Sequence, residues 1–300
     1  MRMDTVLNIS REVHTLRGHV GSVFSVKFNA NGEYCLSCGE DKKVLLWNPH
    51  NGVLVSTYEG HNWEVLDVCC SRENTQLASC GADKQAIVWD VLTGAQIRKI
   101  RGHNSRVNCV SFNPSSTLLF TGSYDKTVKI WDLRSRSFVP VQSLEEAKDS
   151  VESVWVADHE IITSSVDHKI RNYDLRSGKL RTDMMPKPSV YTRLSNDRNC
   201  LLTSVLDGSV KLLDKETGEL LNEYRGHVSK DYKVKCEVAY DDSVVFSGSE
   251  DGHIYCWDLV EARLLAKLKG HEKVVSGISY HPKQHCMLSC SVDGTVRVWK

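Results

Sequence analysis

Short runs of apolar residues, many of them alternating with polar residues, follow one another along the chain. The first clear run covers residues 22–28, with apolar side chains at Val23, Val26 and Phe28. Similar runs occupy residues 34–38, 44–47 and 53–58. Such runs predict β-strands, and Asn51-Gly52 between two of them predicts a tight turn. The pattern therefore predicts an all-β protein.

The strand pattern repeats together with a fixed set of polar residues. Gly-His pairs begin at residues 18, 60, 102, 226 and 270. In four of these units an aspartate follows the histidine by 22 residues, whereas Asp251 follows His227 by 24. A serine or threonine stands four residues before each aspartate, and a tryptophan stands six residues after it. The five complete sets are His19, Ser37, Asp41 and Trp47; His61, Ser79, Asp83 and Trp89; His103, Thr121, Asp125 and Trp131; His227, Ser247, Asp251 and Trp257; and His271, Ser289, Asp293 and Trp299.

Two further units keep this frame without the Gly-His pair. They are marked by Thr163, Asp167 and Tyr173 and by Thr203, Asp207 and Leu213. The chain thus contains seven units, and a period of about 40 to 45 residues with Gly-His and Trp-Asp signatures is typical of WD repeats. The chain resembles the WD-repeat family, in which each repeat forms a four-stranded blade. This resemblance implies a seven-bladed β-propeller.

The length of the chain fits one domain that closes on itself. We expect residues 1–10 to be a short overhang and 11–300 to form a single propeller, with repeats that start near residues 18, 60, 102, 144, 184, 226 and 270. Residues 12–17 precede Gly18 as residues 264–269 precede Gly270, and the last unit lacks an outer strand of its own. We therefore expect the first strand to complete the last blade, which removes an exposed sheet edge.

Histidine, hydroxyl and aspartate within one repeat are also the ingredients of a nucleophilic triad. A catalytic centre needs one copy in a cleft, whereas this set occurs five times at nearly constant spacing, always with a tryptophan. The sets are therefore interpreted as structural. The resemblance to WD proteins implies that tryptophan donates to the hydroxyl, the hydroxyl to histidine, and histidine to aspartate, so that each buried polar group is satisfied.

The fourth and fifth units depart from the pattern. Residues 144–149 and 183–188 stand where Gly-His is expected, and the sixth unit carries two extra residues near 229–232. One interpretation is a stretch of rim whose loops bind a partner. The other is drift in a fold that tolerates imperfect blades. The sequence leaves both open.

Composition narrows the function classes. The 38 basic and 38 acidic residues cancel, which gives no signal for nucleic acid or an anionic membrane. No apolar run approaches 18 residues, so we expect a soluble, intracellular protein. Eleven scattered cysteines indicate small buried side chains in a reducing compartment. Cys35 and Cys38 should face opposite sides of a strand, and no zinc spacing, metal cluster or cofactor motif is present.

Residues in the loops beside the repeated histidines and aspartates should lie on one face of the ring. The candidate partner-binding residues there are Glu40, Trp63, Arg106, Tyr124 and Glu250. Trp, Tyr and Arg are the residue types that anchor protein interfaces. We find no unrepeated polar cluster of the kind that an enzymatic propeller needs at its channel mouth. The sequence therefore predicts a non-enzymatic binding platform.

Several segments outside the common repeat signature resemble the mitogen-activated protein kinase organizer family of WD-repeat proteins. They are 31–36, 47–49, 60–61 with 64–67, 165–167, 173–176 and 213–221. The resemblance implies a scaffold that assembles components of the mitogen-activated protein kinase cascade and that is associated with the spliceosome in pre-mRNA splicing. Its expected partners are proteins, its expected location is the cytoplasm and nucleus, and its expected state is a monomeric ring within larger assemblies.

A substrate receptor of a cullin-type ubiquitin ligase is the alternative. Members of that class resemble one another in a Trp-Asp-x-Arg ending to a repeat, and Trp131-Asp132-Leu133-Arg134 matches it. Arg134 is the candidate contact with a ligase adaptor. An arginine at this place is also common in WD repeats in general.

Overall fold

The part of the chain that the structure describes forms seven four-stranded antiparallel sheets arranged as the blades of a β-propeller. The structure is a computed structural model and describes residues 9–300. In the first six blades each strand pairs with the next along the chain, which confirms the predicted all-β, seven-bladed fold. Within residues 9–300 no helix has the length and apolar character needed to cross a membrane.

Four strands make up each blade, from the central channel outward. The innermost strands are β2 (Val23–Phe28), β6 (Val65–Cys70), β10 (Val107–Phe112), β14 (Val151–Ala157), β18 (Ser189–Leu194), β22 (Cys236–Val238) and β26 (Val275–Tyr280). The second strands are β3 (Cys35–Gly39), β7 (Gln76–Gly81), β11 (Leu118–Ser123), β15 (Glu160–Ser165), β19 (Cys200–Val205), β23 (Val244–Ser247) and β27 (Met287–Ser291). The third strands are β4 (Lys43–Asn48), β8 (Gln85–Asp90), β12 (Val128–Asp132), β16 (Lys169–Asp174), β20 (Ser209–Asp214), β24 (His253–Asp258) and β28 (Thr295–Trp299). The outer strands are β5 (Val53–Glu59), β9 (Gln96–Arg101), β13 (Gln142–Leu144), β17 (Lys179–Met184), β21 (Leu220–Arg225), β25 (Leu264–Lys269) and β1 (Glu12–Arg17).

Strand β1 closes the ring, as the sequence predicts. It is the outer strand of the seventh blade and pairs antiparallel with β28, with Leu16 opposite Val296. Leu16 is buried in the core between the seventh and first blades. Backbone hydrogen bonds between Arg11 and Lys300 extend the pairing. Residues 1–8 of the predicted overhang lie outside the described residues, whereas Ile9 is buried.

The apolar core lies between neighbouring blades. Because side chains alternate along a strand, each sheet buries one set against the blade before it and another against the blade after it. Cys35 belongs to the cluster shared with the seventh blade, and Cys38 to the cluster shared with the second blade, so the two thiols lie on opposite sides of β3. Burial raises the pKa of Cys236 and Cys290 to about 11, so these thiols are neutral at pH 7.

Successive hairpins place the connecting loops on two faces of the ring. One face carries the loops that join each outer strand to the next blade and the turns between second and third strands. We call it the Gly-His face, because the Gly-His pairs and the aspartates of the repeated sets lie there. The opposite face carries the remaining loops, including the turns between the innermost and second strands.

Deletion of residues 1–17 is expected to open the seventh blade. The edge of β28 and the apolar surface that contacts Leu16 become exposed. We expect the melting temperature to fall by more than about 5 °C and aggregation to increase. Scanning calorimetry and light scattering measure both. A deletion of residues 1–8, which keeps β1, is the control, and an unchanged melting temperature for the longer deletion would refute this account of closure.

Candidate functional site

The repeated polar residues form a closed chain of hydrogen bonds, seen clearly in the third blade. Trp131 Nε1 donates to Thr121 Oγ1 at 2.9 Å, and Thr121 Oγ1 lies 2.7 Å from His103 Nε2. His103 Nδ1 lies 2.9 Å from Asp125 Oδ2. An indole only donates and a carboxylate only accepts, so the hydroxyl donates to Nε2 and Nδ1–H donates to the carboxylate. Every buried polar group of the set is thereby paired.

Four blades contain this complete series of hydrogen bonds, and we call the four residues that form it the tetrad. Besides the third blade, they are the first (His19, Ser37, Asp41 and Trp47), the second (His61, Ser79, Asp83 and Trp89) and the seventh (His271, Ser289, Asp293 and Trp299). Burial opposes ionisation of the aspartates. The hydrogen bonds from histidine and from nearby backbone N–H groups outweigh it, so the pKa of Asp41 and Asp83 lies below its usual range.

The sixth blade differs from the sequence expectation, because its four repeated residues do not close into a tetrad; they are His227, Ser247, Asp251 and Trp257. Within residues 9–300 both ring nitrogens of His227 lack a hydrogen-bond partner, although the residue is only 5% exposed. Trp257 Nε1 donates to the carbonyl of Arg225 at 3.2 Å, and Ser247 Oγ donates to the carbonyl of Gly248 at 3.0 Å. The Tyr255 hydroxyl donates to Asp251 Oδ2 at 2.9 Å and takes the place expected for histidine. The wider His227–Asp251 spacing was the signal of this change.

In the fourth and fifth blades, too, a side chain of the third strand contacts the turn aspartate. In the fourth blade the buried Arg171 guanidinium lies 2.5 Å from Asp167 Oδ2 and also donates to the carbonyl of Glu146 at 2.9 Å. In the fifth blade Lys211 Nζ lies 3.9 Å from Asp207 and 2.9 Å from Glu223. In the fourth, fifth and sixth blades the same position of the third strand, opposite the hydroxyl residue, is occupied by Arg171, Lys211 and Tyr255, respectively.

Four of the five candidate binding residues are solvent-exposed on the Gly-His face, namely Glu40, Trp63, Arg106 and Tyr124. Trp63 is 61% exposed in the second blade. In the third blade, the Arg106 guanidinium lies over the ring of Tyr124, 4.8 Å from its centroid, and Tyr124 is 50% exposed. Two adjacent blades therefore present an indole, a phenol and a guanidinium to solvent. Val20 and Tyr232 are further exposed side chains on this face, which sequence analysis did not single out.

The two acidic candidates hold loops. Glu40 Oε2 accepts from the backbone N–H of Ser22 at 2.9 Å, and this hydrogen bond lowers the pKa of Glu40. Glu250 Oε1 accepts from three successive backbone N–H groups, those of Lys230, Asp231 and Tyr232. Glu250 thus orders the two-residue insertion of the sixth blade. Both carboxylates therefore accept hydrogen bonds from loop backbone within the protein.

The central channel contains an unrepeated polar cluster, which corrects the expectation from sequence. Seven residues occupy one register of the innermost strands and line the channel: Lys27, Cys69, Ser111, Trp155, Arg193, Glu237 and Ser279. Their types differ from blade to blade, whereas the tetrad positions repeat. The cluster was missed because the repeats were compared only at their similar positions. Alignment of the units on the hydroxyl residue brings these positions together.

Asp67 connects the cluster across the channel. Its carboxylate accepts from Lys235 Nζ at 2.9 Å and from Lys27 Nζ at 3.1 Å, and Ser25 Oγ donates to it at 2.8 Å. Burial opposes ionisation of Asp67, but the two lysines outweigh it and hold the pKa of the carboxyl well below its usual range. Burial raises the pKa of the neighbouring Cys69 to about 12, so this thiol is not a nucleophile at pH 7. Among residues 9–300 no group of three His, Cys, Asp or Glu side chains could hold a metal ion.

Arg134, the candidate ligase-adaptor contact, lies after β12 on the opposite face. Its side chain is 72% exposed and folds onto Asp132, with Nε 3.2 Å from Oδ1. The arrangement leaves the guanidinium accessible but already paired with its own turn.

The closed ring, the repeated tetrads and the exposed face define a WD-repeat propeller, which is a protein-interaction scaffold. Residues 10–48, 52–90, 94–132, 218–258 and 262–300 match the family described as WD domain, G-beta repeat. The unmatched stretch between them, 133–217, contains the fourth blade and the first three strands of the fifth, the two blades that lack Gly-His.

Comparison with individual proteins of similar sequence identifies the family within this class. WD repeat domain-containing protein 83 of Rattus norvegicus is 52% identical over 290 residues, which cover 97% of this chain and 92% of that protein. The protein of the same name from Homo sapiens is 51% identical over the same coverage. The homolog from Dictyostelium discoideum is 38% identical over 314 residues, covering 95% of this chain and 96% of that protein. The chain belongs to the WD-repeat family and, within it, to the family of WD repeat domain-containing protein 83.

Burial of His227 predicts a pH-dependent loss of stability. Burial lowers its pKa to about 4, below the value of about 6.5 in the unfolded chain. The folded protein keeps His227 neutral, whereas the unfolded chain binds a proton below pH 6.5. The stability that the neutral side chain contributes is therefore complete above pH 6.5 and is lost as the pH falls toward 4. We compare the free energy of unfolding of His227→Phe with that of the unchanged protein. The difference, variant minus unchanged protein, should increase by about 3 kcal/mol as the pH falls from 7 to 4.

Urea unfolding at several pH values measures this difference, because all other titrating groups are common to both proteins. His50→Phe, at an exposed position, is the matched control. A difference for His227→Phe that stays constant with pH would contradict the assignment of a buried, unpaired imidazole.

Proposed function

We propose that this protein is a non-catalytic scaffold that assembles components of the mitogen-activated protein kinase cascade and that also acts with the spliceosome in pre-mRNA splicing. The resemblance of its sequence to the mitogen-activated protein kinase organizer family supports these two roles. The observation that carries the scaffold proposal is the exposed Trp63 beside the Arg106–Tyr124 pair on the Gly-His face. Together, the two roles require the protein to be present in both the cytoplasm and the nucleus.

The Arg106–Tyr124 pair is ordered before any partner binds. The carbonyl of Arg106 accepts from the backbone N–H of Tyr124 at 3.1 Å and from Ser123 Oγ at 2.8 Å. The guanidinium already lies on the phenol ring. Ordered side chains lose little conformational freedom on binding, so more of the contact energy is available for affinity. Trp, Tyr and Arg are also the commonest interface anchors.

A rigid ring suits assembly because it fixes the distance between bound partners. Two proteins held on one propeller meet at a raised effective concentration without any new contact between them. The tetrads and the apolar core between blades supply this rigidity. The scaffold needs no chemistry of its own.

A substrate receptor of a cullin-type ubiquitin ligase is the second candidate function. It is favoured by the exposed guanidinium of Arg134 in Trp131-Asp132-Leu133-Arg134. This residue lies on the opposite face from Trp63, so the two candidates make separate predictions. An adaptor bound through Arg134 would leave the Gly-His face free for a substrate.

Affinity purification from native cells tests both candidates. We expect kinases of the cascade or spliceosomal proteins to accompany the unchanged protein and to fall at least tenfold in Trp63→Ala, Arg106→Ala, because two interface anchors are lost. Quantitative mass spectrometry gives the ratio for each partner. Leu92→Ala removes a highly exposed apolar side chain from the opposite face of the second blade and is the matched control.

Partners retained equally by the double variant would argue against the Gly-His face as the binding surface. Cullin adaptors that are present with the unchanged protein and lost in Arg134→Ala would establish the ligase alternative instead. Their absence from the unchanged sample would dismiss it.

A further inference from the structure

A cavity of 460 Å³ occupies the central channel and opens toward the opposite face. Its walls come from the innermost strands, and its mouth is formed by loops that include Ala30, Arg72 and Pro114. A cavity of this size holds a small molecule or one large side chain. It is separate from the Gly-His face, so a ligand here would not compete directly for Trp63 or Arg106.

Positive charge exceeds negative charge in this cavity. Five cationic side chains line it, namely Lys27, Arg72, Arg193, Lys233 and Lys235. Three carboxylates oppose them, namely Asp67, Glu152 and Glu237. The excess is therefore two positive charges, although the charge of the whole chain is zero.

The ion pairs within the cavity do not remove this excess. Lys27 and Lys235 share the single carboxylate of Asp67. Lys233 Nζ lies 3.5 Å from Glu152 Oε2, and the Arg193 guanidinium contacts Glu237. Arg72 is exposed at the mouth and adds a further positive charge.

Burial makes the excess charge costly. Lys235 is only 4% exposed in its side chain, and burial lowers its pKa despite the attraction of Asp67. An anion placed in the cavity would offset this cost, because opposite charges attract strongly where water is excluded. The cavity is thus electrostatically complementary to a ligand with about two negative charges.

Aromatic rings line the same cavity. The Arg193 guanidinium lies 5.3 Å from the ring centroid of Trp155, and Lys235 Nζ lies 5.7 Å from that of Tyr191. Phe112 and Tyr280 add two more rings. Such walls favour a ligand that has an organic body as well as a charged group.

We propose that the central channel binds an organic phosphate monoester. Its phosphate, a dianion near neutral pH, lies among Lys27, Arg193 and Lys233, and its organic body contacts the aromatic walls. Arg72 attracts the ligand at the mouth. Arginine and lysine are the side chains that bind phosphate oxygens most often. The proposal does not depend on the scaffold function proposed above.

Isothermal titration calorimetry with phenyl phosphate tests the proposal on the full chain. We expect binding at low salt that weakens as ionic strength rises, since the attraction is partly screened at the mouth. Lys233→Gln should weaken binding at least tenfold, and Arg72→Gln about threefold. Lys99→Gln, at an exposed position on the outer strand β9, is the matched control and should leave the affinity unchanged.

Arg72 lies at the surface, so its substitution gives a readout even if Lys233→Gln fails to fold. Circular dichroism of each variant verifies the fold. No heat of binding for the unchanged protein, or an affinity that Lys99→Gln lowers as much as Lys233→Gln, would overturn the proposal.

Two further probes distinguish the source of the phosphate monoester. A short phosphoserine peptide that binds tighter than phenyl phosphate would assign the site to a phosphorylated side chain of a partner. Phenyl phosphate binding tighter than the peptide would assign it to a free small molecule. Inorganic phosphate that binds as tightly as phenyl phosphate would overturn the role given to the aromatic walls.

Discussion

The structure depends on the tetrad, in which tryptophan, a hydroxyl, histidine and aspartate satisfy one another inside the blade. Each of these groups would be costly to bury alone. As a chain they link the second and third strands to the loop that arrives from the preceding blade, for example through His103 and Asp125. The apolar clusters between blades then hold neighbouring sheets together, and β1 closes the ring. The exposed faces are rigid because the buried polar groups are hydrogen-bonded and the apolar side chains are packed between blades.

The fourth, fifth and sixth blades reach a similar result with other side chains. Arg171, Lys211 and Tyr255 project from one register of the third strand toward the turn aspartate. Arg171 satisfies its aspartate and the preceding loop at once, whereas Tyr255 leaves His227 without a partner. The irregular blades are consecutive, so one part of the Gly-His face differs in chemistry from the part that carries Trp63 and Arg106. The channel differs again, because its lining residues change type from each blade to the next.

The period of the sequence was sufficient to predict the seven blades, the closing strand and four tetrads, because spacing alone brings those residues together. It failed at His227, where two extra residues and Tyr255 change the partner of Asp251. It also could not reveal that Glu40 and Glu250 hold backbone N–H groups, since loop conformation decides this. The channel cluster was hidden for another reason. Lys27, Asp67 and Lys235 are far apart in sequence, and only the closed ring brings them within hydrogen-bonding distance.

The most direct test of the tetrad is the stability of Asp125→Ala, measured by urea unfolding at pH 7. Removal of the carboxylate leaves the buried His103 without its acceptor, so the free energy of unfolding should fall by about 1–3 kcal/mol while the fold is retained. Asp132→Ala, seven residues further along at the end of β12, removes a carboxylate that pairs with the exposed Arg134, and it should lose much less. Equal stability of the two variants, or an Asp125→Ala protein as stable as the unchanged chain, would contradict the tetrad as the basis of the fold.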